Sequence, residues 1–134
     1  MALSTQAHGG GIPLDEFTAT IPPGWNPAQR ASYPLKTYLE KMKLWYRQTS
    51  LTTMSQIGPI CAGRLKGTAY NVAVHLSVPL QNGTVVHGDE ALAQDEQPAV
   101  LDPQSGAQVH PRIPSGLSCL LTKLREAYGI EDAD

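Results

Sequence analysis

Cysteine is scarce in this chain, and so is most of what would announce chemistry. Cys61 and Cys119 are its only thiols. They lie far apart, form no CxxC pair and have no histidine at metal-ligand spacing, so neither a disulfide framework nor a familiar zinc site is indicated. Two reduced, buried thiols are expected instead. No long apolar run is present, so no helix is expected to span a membrane. The N-terminus has no basic region followed by an apolar stretch, and Ala2 stands where N-myristoylation requires glycine. There is no P-loop, GxGxxG, GxSxG or HExxH. The four histidines are scattered, without a serine or cysteine at recognisable spacing, and the carboxylates form no acid–base dyad. His75 reads as a surface or core-edge residue. No catalytic, cofactor-binding or metal-binding residue is assigned, and the chain is read as not an enzyme.

Net charge is also small. Ten Lys and Arg face twelve Asp and Glu, a formal net charge of -2. The molecule as a whole is therefore no obvious nucleic-acid binder, but its charge is unevenly placed. Arg30, Lys36, Lys41, Lys43, Arg47, Arg64 and Lys66 fall between positions 30 and 66, with Glu40 the one acid among them. Asp89, Glu90, Asp95, Glu96 and Asp102 fall between 77 and 110, where no Lys or Arg occurs. Such asymmetry is able to orient head-to-tail contact between copies. Its plainer reading is a set of solvated faces.

A length of 134 residues suits one domain with a real core. Its 12 glycines and 11 prolines predict long irregular segments around that core. The expected fold is mainly α: a small bundle of about four to five helices, with a proline-rich N-terminal arm and a long loop carrying one or two short β-hairpins. Residues 1–33 are read as a flexible arm docking on the core, and 34–77 as the helical core. Residues 78–114 are read as an acidic protruding loop, 115–130 as a C-terminal core helix and 131–134 as an acidic tail.

The arm carries Pro13, Pro22, Pro23 and Pro27, with Pro34 at its end. Proline has no amide donor and a fixed torsion, so the segment is extended or turning. Trp25, after Pro-Pro-Gly, is its anchor, read as core in preference to a ligand platform. The first helix is predicted over 34–48, with Ser32 or Tyr33 at the cap. Leu35, Tyr38, Leu39, Met42, Trp45 and Tyr46 form its apolar stripe, and Lys36, Glu40, Lys43 and Arg47 its polar face. A second helix is predicted from 52 or 53 to 65. Gly58-Pro59 predicts a kink or a break in it. Ile57, Ile60, Cys61 and Leu65 are its buried stripe, and Gly63 is read as allowing close helix contact. Lys66-Gly67 reads as a stop, and Thr68 as the cap of a third helix over 69–76.

After position 77 helix signals thin out. Asn82-Gly83 between two apolar runs predicts a hairpin. Asp89 is placed to cap a short helix over 90–94, and the Asp102–Gly106 stretch reads as a second turn. Ser115 as N-cap and Gly129 as left-handed C-cap bound the last helix, whose stripe is Leu117, Leu120, Leu121, Leu124 and Tyr128. The stop soon after Gly129 reads like a domain cut from a longer polyprotein.

Trp25 in a docking segment, Tyr33 before the first helix, Trp45 late in it and Leu65-Lys66-Gly67-Thr68-Ala69 between helices resemble the capsid domain of Gag proteins of LTR retrotransposons, particularly the copia type. The Leu117–Gly129 stretch looks like the helix that precedes the second capsid subdomain. The resemblance covers about half the chain, and its motifs are loose. The acidic 77–114 insertion departs from the pattern, and neither a CCHC zinc knuckle nor a second capsid subdomain is present. The resemblance implies an N-terminal capsid half that assembles with copies of itself into a cytoplasmic particle around RNA. It makes Trp25, Tyr33, Tyr38, Trp45, Leu65, Gly67 and Ala69 core and assembly anchors. Lys36, Lys43 and Arg47 are the candidate nucleic-acid contacts. The alternative is a small helical nucleic-acid-binding module using the basic 30–66 face. No cofactor and no membrane partner is implied.

Overall fold

In the computed structural model, which describes residues 12–129, five α-helices and two small antiparallel hairpins surround one core. The first eleven residues of the expected arm, and the acidic tail, lie outside the described residues. The fold is thus mainly helical with a small strand component, in line with the apolar spacing of the sequence.

Helix α1 spans Leu35–Gln48 and buries Leu35, Tyr38, Leu39, Met42 and Trp45. Pro34 is its extended cap residue, so the helix begins one position later than expected. Tyr46, placed in the apolar stripe by spacing, is 50% exposed. It stands one residue beyond Trp45, about 100° further round the helix, and so leaves the core face.

Helix α2 spans Met54–Gly63 and runs through Pro59 without a break. The missing amide leaves the Ser55 carbonyl without its helical bond, at a residue exposed to solvent. Ile60, expected inside, faces outward. The close approach assigned to Gly63 belongs elsewhere: nothing lies near Gly63, whereas a Cβ at Gly58 would overlap the Leu92 carbonyl.

Helix α3 spans Gly67–Val74 and buries Ala69 and Ala73. Lys66 is its cap residue, and Gly67 opens the first turn at φ 59°. Thr68 does not cap the helix; its hydroxyl shares a 2.5 Å hydrogen bond with the Tyr128 hydroxyl on the last helix. Gly67 therefore starts α3 as well as ending the turn before it, a position where positive φ excludes most side chains.

Strands β1 (Ser77–Pro79) and β2 (Val85–His87) pair in the register Ser77↔His87. Asn82-Gly83 does make the turn, as expected, but inside a longer loop: Leu80 and Thr84 still bond across it, and Gly83 takes φ 96°. Helix α4 (Asp89–Leu92) follows, starting after Gly88 with no side-chain cap. The cap assigned to Asp89 is not formed; Asp89 is instead in the first turn, where its charge suits the helix dipole. Val78, Ala91 and Leu92 are buried. The first part of the 78–114 stretch is thus core, and the projecting part is confined to its second half. There strands β3 (Val100–Leu101) and β4 (Gln108–His110) form the second hairpin, with a register shift beside Leu101.

Helix α5 spans Gly116–Tyr128 with both ends as the sequence predicts. The Ser115 hydroxyl accepts from the Ser118 amide at 3.2 Å, and Gly129 closes the helix in the left-handed region. Gly116 lets α5 start hard against α4, since a Cβ there would overlap the Ala91 carbonyl. Helix α2 packs against α3, α4 and α5, and α5 also meets α1 and α3.

Candidate functional site

The anchors are assembled around Trp25. Its indole is fully buried and donates from Nε1 to the Tyr33 carbonyl at 2.8 Å. Its ring meets Tyr128 edge-on at 5.0 Å and Tyr38 at 6.3 Å. Arg30 lies over the outer face of Tyr128, 5.8 Å from the ring centre. The Trp25 backbone runs parallel to Leu65, bonded to the Arg64 carbonyl and the Lys66 amide. Tyr33, Tyr38, Trp45, Leu65 and Ala69 are buried around this centre. Gly67 is exposed at its margin. Six of the seven predicted anchors are therefore core. Any surface for a partner is built from other residues.

The described part of the arm is held by its main chain. A proline-rich extended strand leaves its carbonyls without partners, and buried ones must find donors. Arg64 supplies most of them: Nε reaches Pro22 at 2.9 Å, Nη2 reaches Pro13 at 3.0 Å and Glu16 at 3.2 Å, and Nη1 reaches Ile12 at 3.4 Å. Trp45 Nε1 donates to Thr18, Lys41 to Asp15 and the Thr49 hydroxyl to Ala19. Arg64 and Lys41, counted as surface charge in the sequence, are thus committed to the arm. Burial lowers the Arg64 guanidinium from its ordinary value, with the two tyrosines opposing the shift.

The chemistry available inside is slight. Burial pushes the Cys61 thiol up to about 12, which keeps it protonated and unreactive at neutral pH. Burial, with Asp15 nearby, raises Tyr33 to about 12, and Tyr38 is raised as well, chiefly by burial. The Tyr33 and Tyr38 hydroxyls are buried with no hydrogen-bond partner among the described residues. One pair escaped the sequence reading: Ser77 Oγ and His87 Nδ1 meet across the first hairpin at 2.8 Å. Only the register brings them together, and both are exposed. His75 bonds the Asn71 carbonyl one turn back. Among the described residues no group of three or more His, Cys, Asp or Glu is placed to hold a metal ion. No helix among them is long and apolar enough to cross a membrane.

Two exposed features remain. The first is a groove of about 800 Å³ between α1 and α5. Its floor is apolar, with Leu39, Met42 and Leu121, and Tyr46 stands at its side. Lys43 and Arg47 rise along the α1 rim, and Asp95 and Glu96 close one end. Lys36, Lys43 and Arg47 are all exposed. Their spacing of seven and four places them on one side of α1, as expected, but only the last two border the groove.

The second feature is the β3–β4 hairpin. Val100, Leu101 and Val109 are exposed, Leu101 and Val109 at 56% each. Two glutamines fix its base to the first hairpin. Gln81 donates from its side-chain amide to the Pro98 and Pro111 carbonyls, and the Gln97 side chain donates to the Pro79 carbonyl while accepting from the Gln81 backbone N–H. Gln97 also exchanges both backbone bonds with Ile113 at 2.8 Å, and Arg112 pairs with Glu96. The hairpin is thus held firmly at its base while its apolar side chains meet solvent. Nothing in local sequence patterning marks these glutamines, because their partners lie more than a dozen residues away. No protein-family model, curated protein or solved structure matches the chain.

Proposed function

We propose that the chain is a structural, self-assembling domain of the capsid kind, acting as the N-terminal half of a Gag-like polyprotein whose copies build a cytoplasmic shell around RNA. The observation that carries this reading is the β3–β4 hairpin, which holds Val100, Leu101 and Val109 in solvent on a braced base. Exposed apolar side chains on a braced hairpin mark a contact surface. A two-stranded ribbon gains little stability of its own from leaving them exposed. The Trp25, Tyr33, Trp45 and Leu65 pattern gathers into one buried centre, which suits a rigid building block. A raised, buried thiol at Cys61 favours a structural role over an enzymatic one. No cofactor or metal is needed.

The test is sedimentation velocity with electron microscopy over a wide concentration range, with and without RNA. Concentration-dependent association into closed or extended assemblies is the expected result. A strictly monomeric protein at high concentration would overturn the reading.

A second reading rests on Lys36, Lys43 and Arg47, which share one exposed side of α1. They suit phosphate contacts by a nucleic-acid-binding module. Three such contacts predict a log–log salt slope of roughly -2 for single-stranded RNA. Filter binding against salt decides it, and a flat response excludes the module.

A further inference from the structure

We propose that the β3–β4 hairpin of one copy seats in the α1–α5 groove of the next. Leu101 would lie on the apolar floor, and Asp102 toward Lys43 and Arg47. The inference rests on the assembly reading above and names the two surfaces that mate.

Three observations carry it. Both surfaces carry exposed apolar groups: half-exposed Tyr46 and half-buried Leu121 line the groove over buried Leu39 and Met42, and the hairpin offers Leu101. A nucleic acid would leave such a floor unused, whereas an apolar ribbon fills it. Charge is complementary as well. The α1 rim of the groove carries Lys43 and Arg47, while the hairpin itself, residues 98–111, carries one acid, Asp102, and no Lys or Arg. Asp102, at the end of β3, keeps its carboxyl low through the Gln104 amide, so it meets the rim as an anion. Finally, the chain's own hairpin does not occupy its own groove. Leu101 and Val109 are exposed, and no hairpin residue beyond Glu96 lines the groove before Ser115.

The contact is heterologous, because different patches meet. Repeated, it closes into a ring or continues as a filament. One hairpin in one groove buries less than the roughly 1,600 Å² of a standard interface, so each contact is weak and assembly depends on repetition.

Heterologous contact makes a specific prediction for mixtures. Leu101→Asp spoils the hairpin and leaves the groove, and Tyr46→Asp spoils the groove wall and leaves the hairpin. Both positions are exposed, and circular dichroism checks that each variant is folded. Each variant alone is expected to associate at least tenfold more weakly than the wild type. An equimolar mixture is expected to give a dimer and nothing larger, since one good hairpin meets one good groove and both outer surfaces are spoiled. Sedimentation velocity reads all three samples. A mixture no more associated than its components overturns the inference. So do variants that assemble like the wild type, a result that leaves the assembly reading intact. A wild-type chain that stays monomeric overturns both.

Discussion

Arg64, the residue just past α2, donates from Nε to the carbonyl of Pro22, forty-two positions earlier, at 2.9 Å. The same guanidinium reaches three further arm carbonyls. Replacing Arg64 with Ala should cost about 2–3 kcal/mol, since charged hydrogen bonds are removed and arm carbonyls lose their donors. Lys at this position should recover less than half, because a point charge does not reproduce the planar fork. Urea unfolding measures both, and a fully stable Arg64→Lys protein would refute the fork argument.

Glycines 58, 63 and 116 separate close contact from open space. Gly58→Ala and Gly116→Ala each force a Cβ onto α4 carbonyls and should destabilise by about 2–3 kcal/mol. Gly63→Ala meets nothing and should stabilise by about 0.5–1 kcal/mol through helix propensity. Thermal melts of the three variants check the order, and a destabilised Gly63→Ala would contradict it.

Tyr38 is fully buried, and its hydroxyl has no hydrogen-bond partner among the described residues. Tyr38→Phe keeps the ring and removes the orphan group, so stability should stay level or rise by about 1 kcal/mol. A loss of stability in chemical denaturation would mean that the hydroxyl is bonded, for instance through a buried water.

Cys61 and Tyr33 are neutral when protonated, and both are held near 12 in the fold, above their ordinary 9.0 and 10.0. The folded state therefore keeps protons that the unfolded chain releases, and stability is full below pH 9 and falls as pH rises from 9 toward 12. Melting temperatures at pH 8, 10 and 11 should decline in that order. A Cys61→Ala protein should show a shallower decline, whatever its starting stability. In the native protein at pH 8, a maleimide should label half-buried Cys119 well ahead of buried Cys61. Equal labelling would show that the core opens readily.

Local features of this chain are legible in its sequence. Ser115 and Gly129 bound α5 because a cap depends on a few neighbouring residues. Asn82-Gly83 marks a turn for the same reason. Its loop length sets the register, and hence the Ser77–His87 pair, and that was not legible. Contacts between distant segments were hidden. Gly63 and Gly58 look alike in sequence, and only the approach of α4 separates them. Arg64 and Lys41 looked like surface charge, because a main-chain carbonyl leaves no side-chain pattern to match. The α1–α5 groove and the glutamine brace arise from chain crossings that no periodicity encodes. Tyr46 and Ile60 were placed one step too far round their helices, where a stripe's edge meets solvent.

The way the arm is fastened has a consequence for how this chain is free to diverge. Arg64, Lys41, Trp45 and Thr49 grip oxygens that every amino acid carries. Residues such as Asp15, Thr20 and Ala19 are exposed, and exchanging them leaves the grip unchanged. Selection on the arm should therefore fall on Leu14, Phe17 and Trp25, which pack on the core, and on the four gripping residues outside it. Descendants of this chain would keep the same clasp while their arms ceased to look alike.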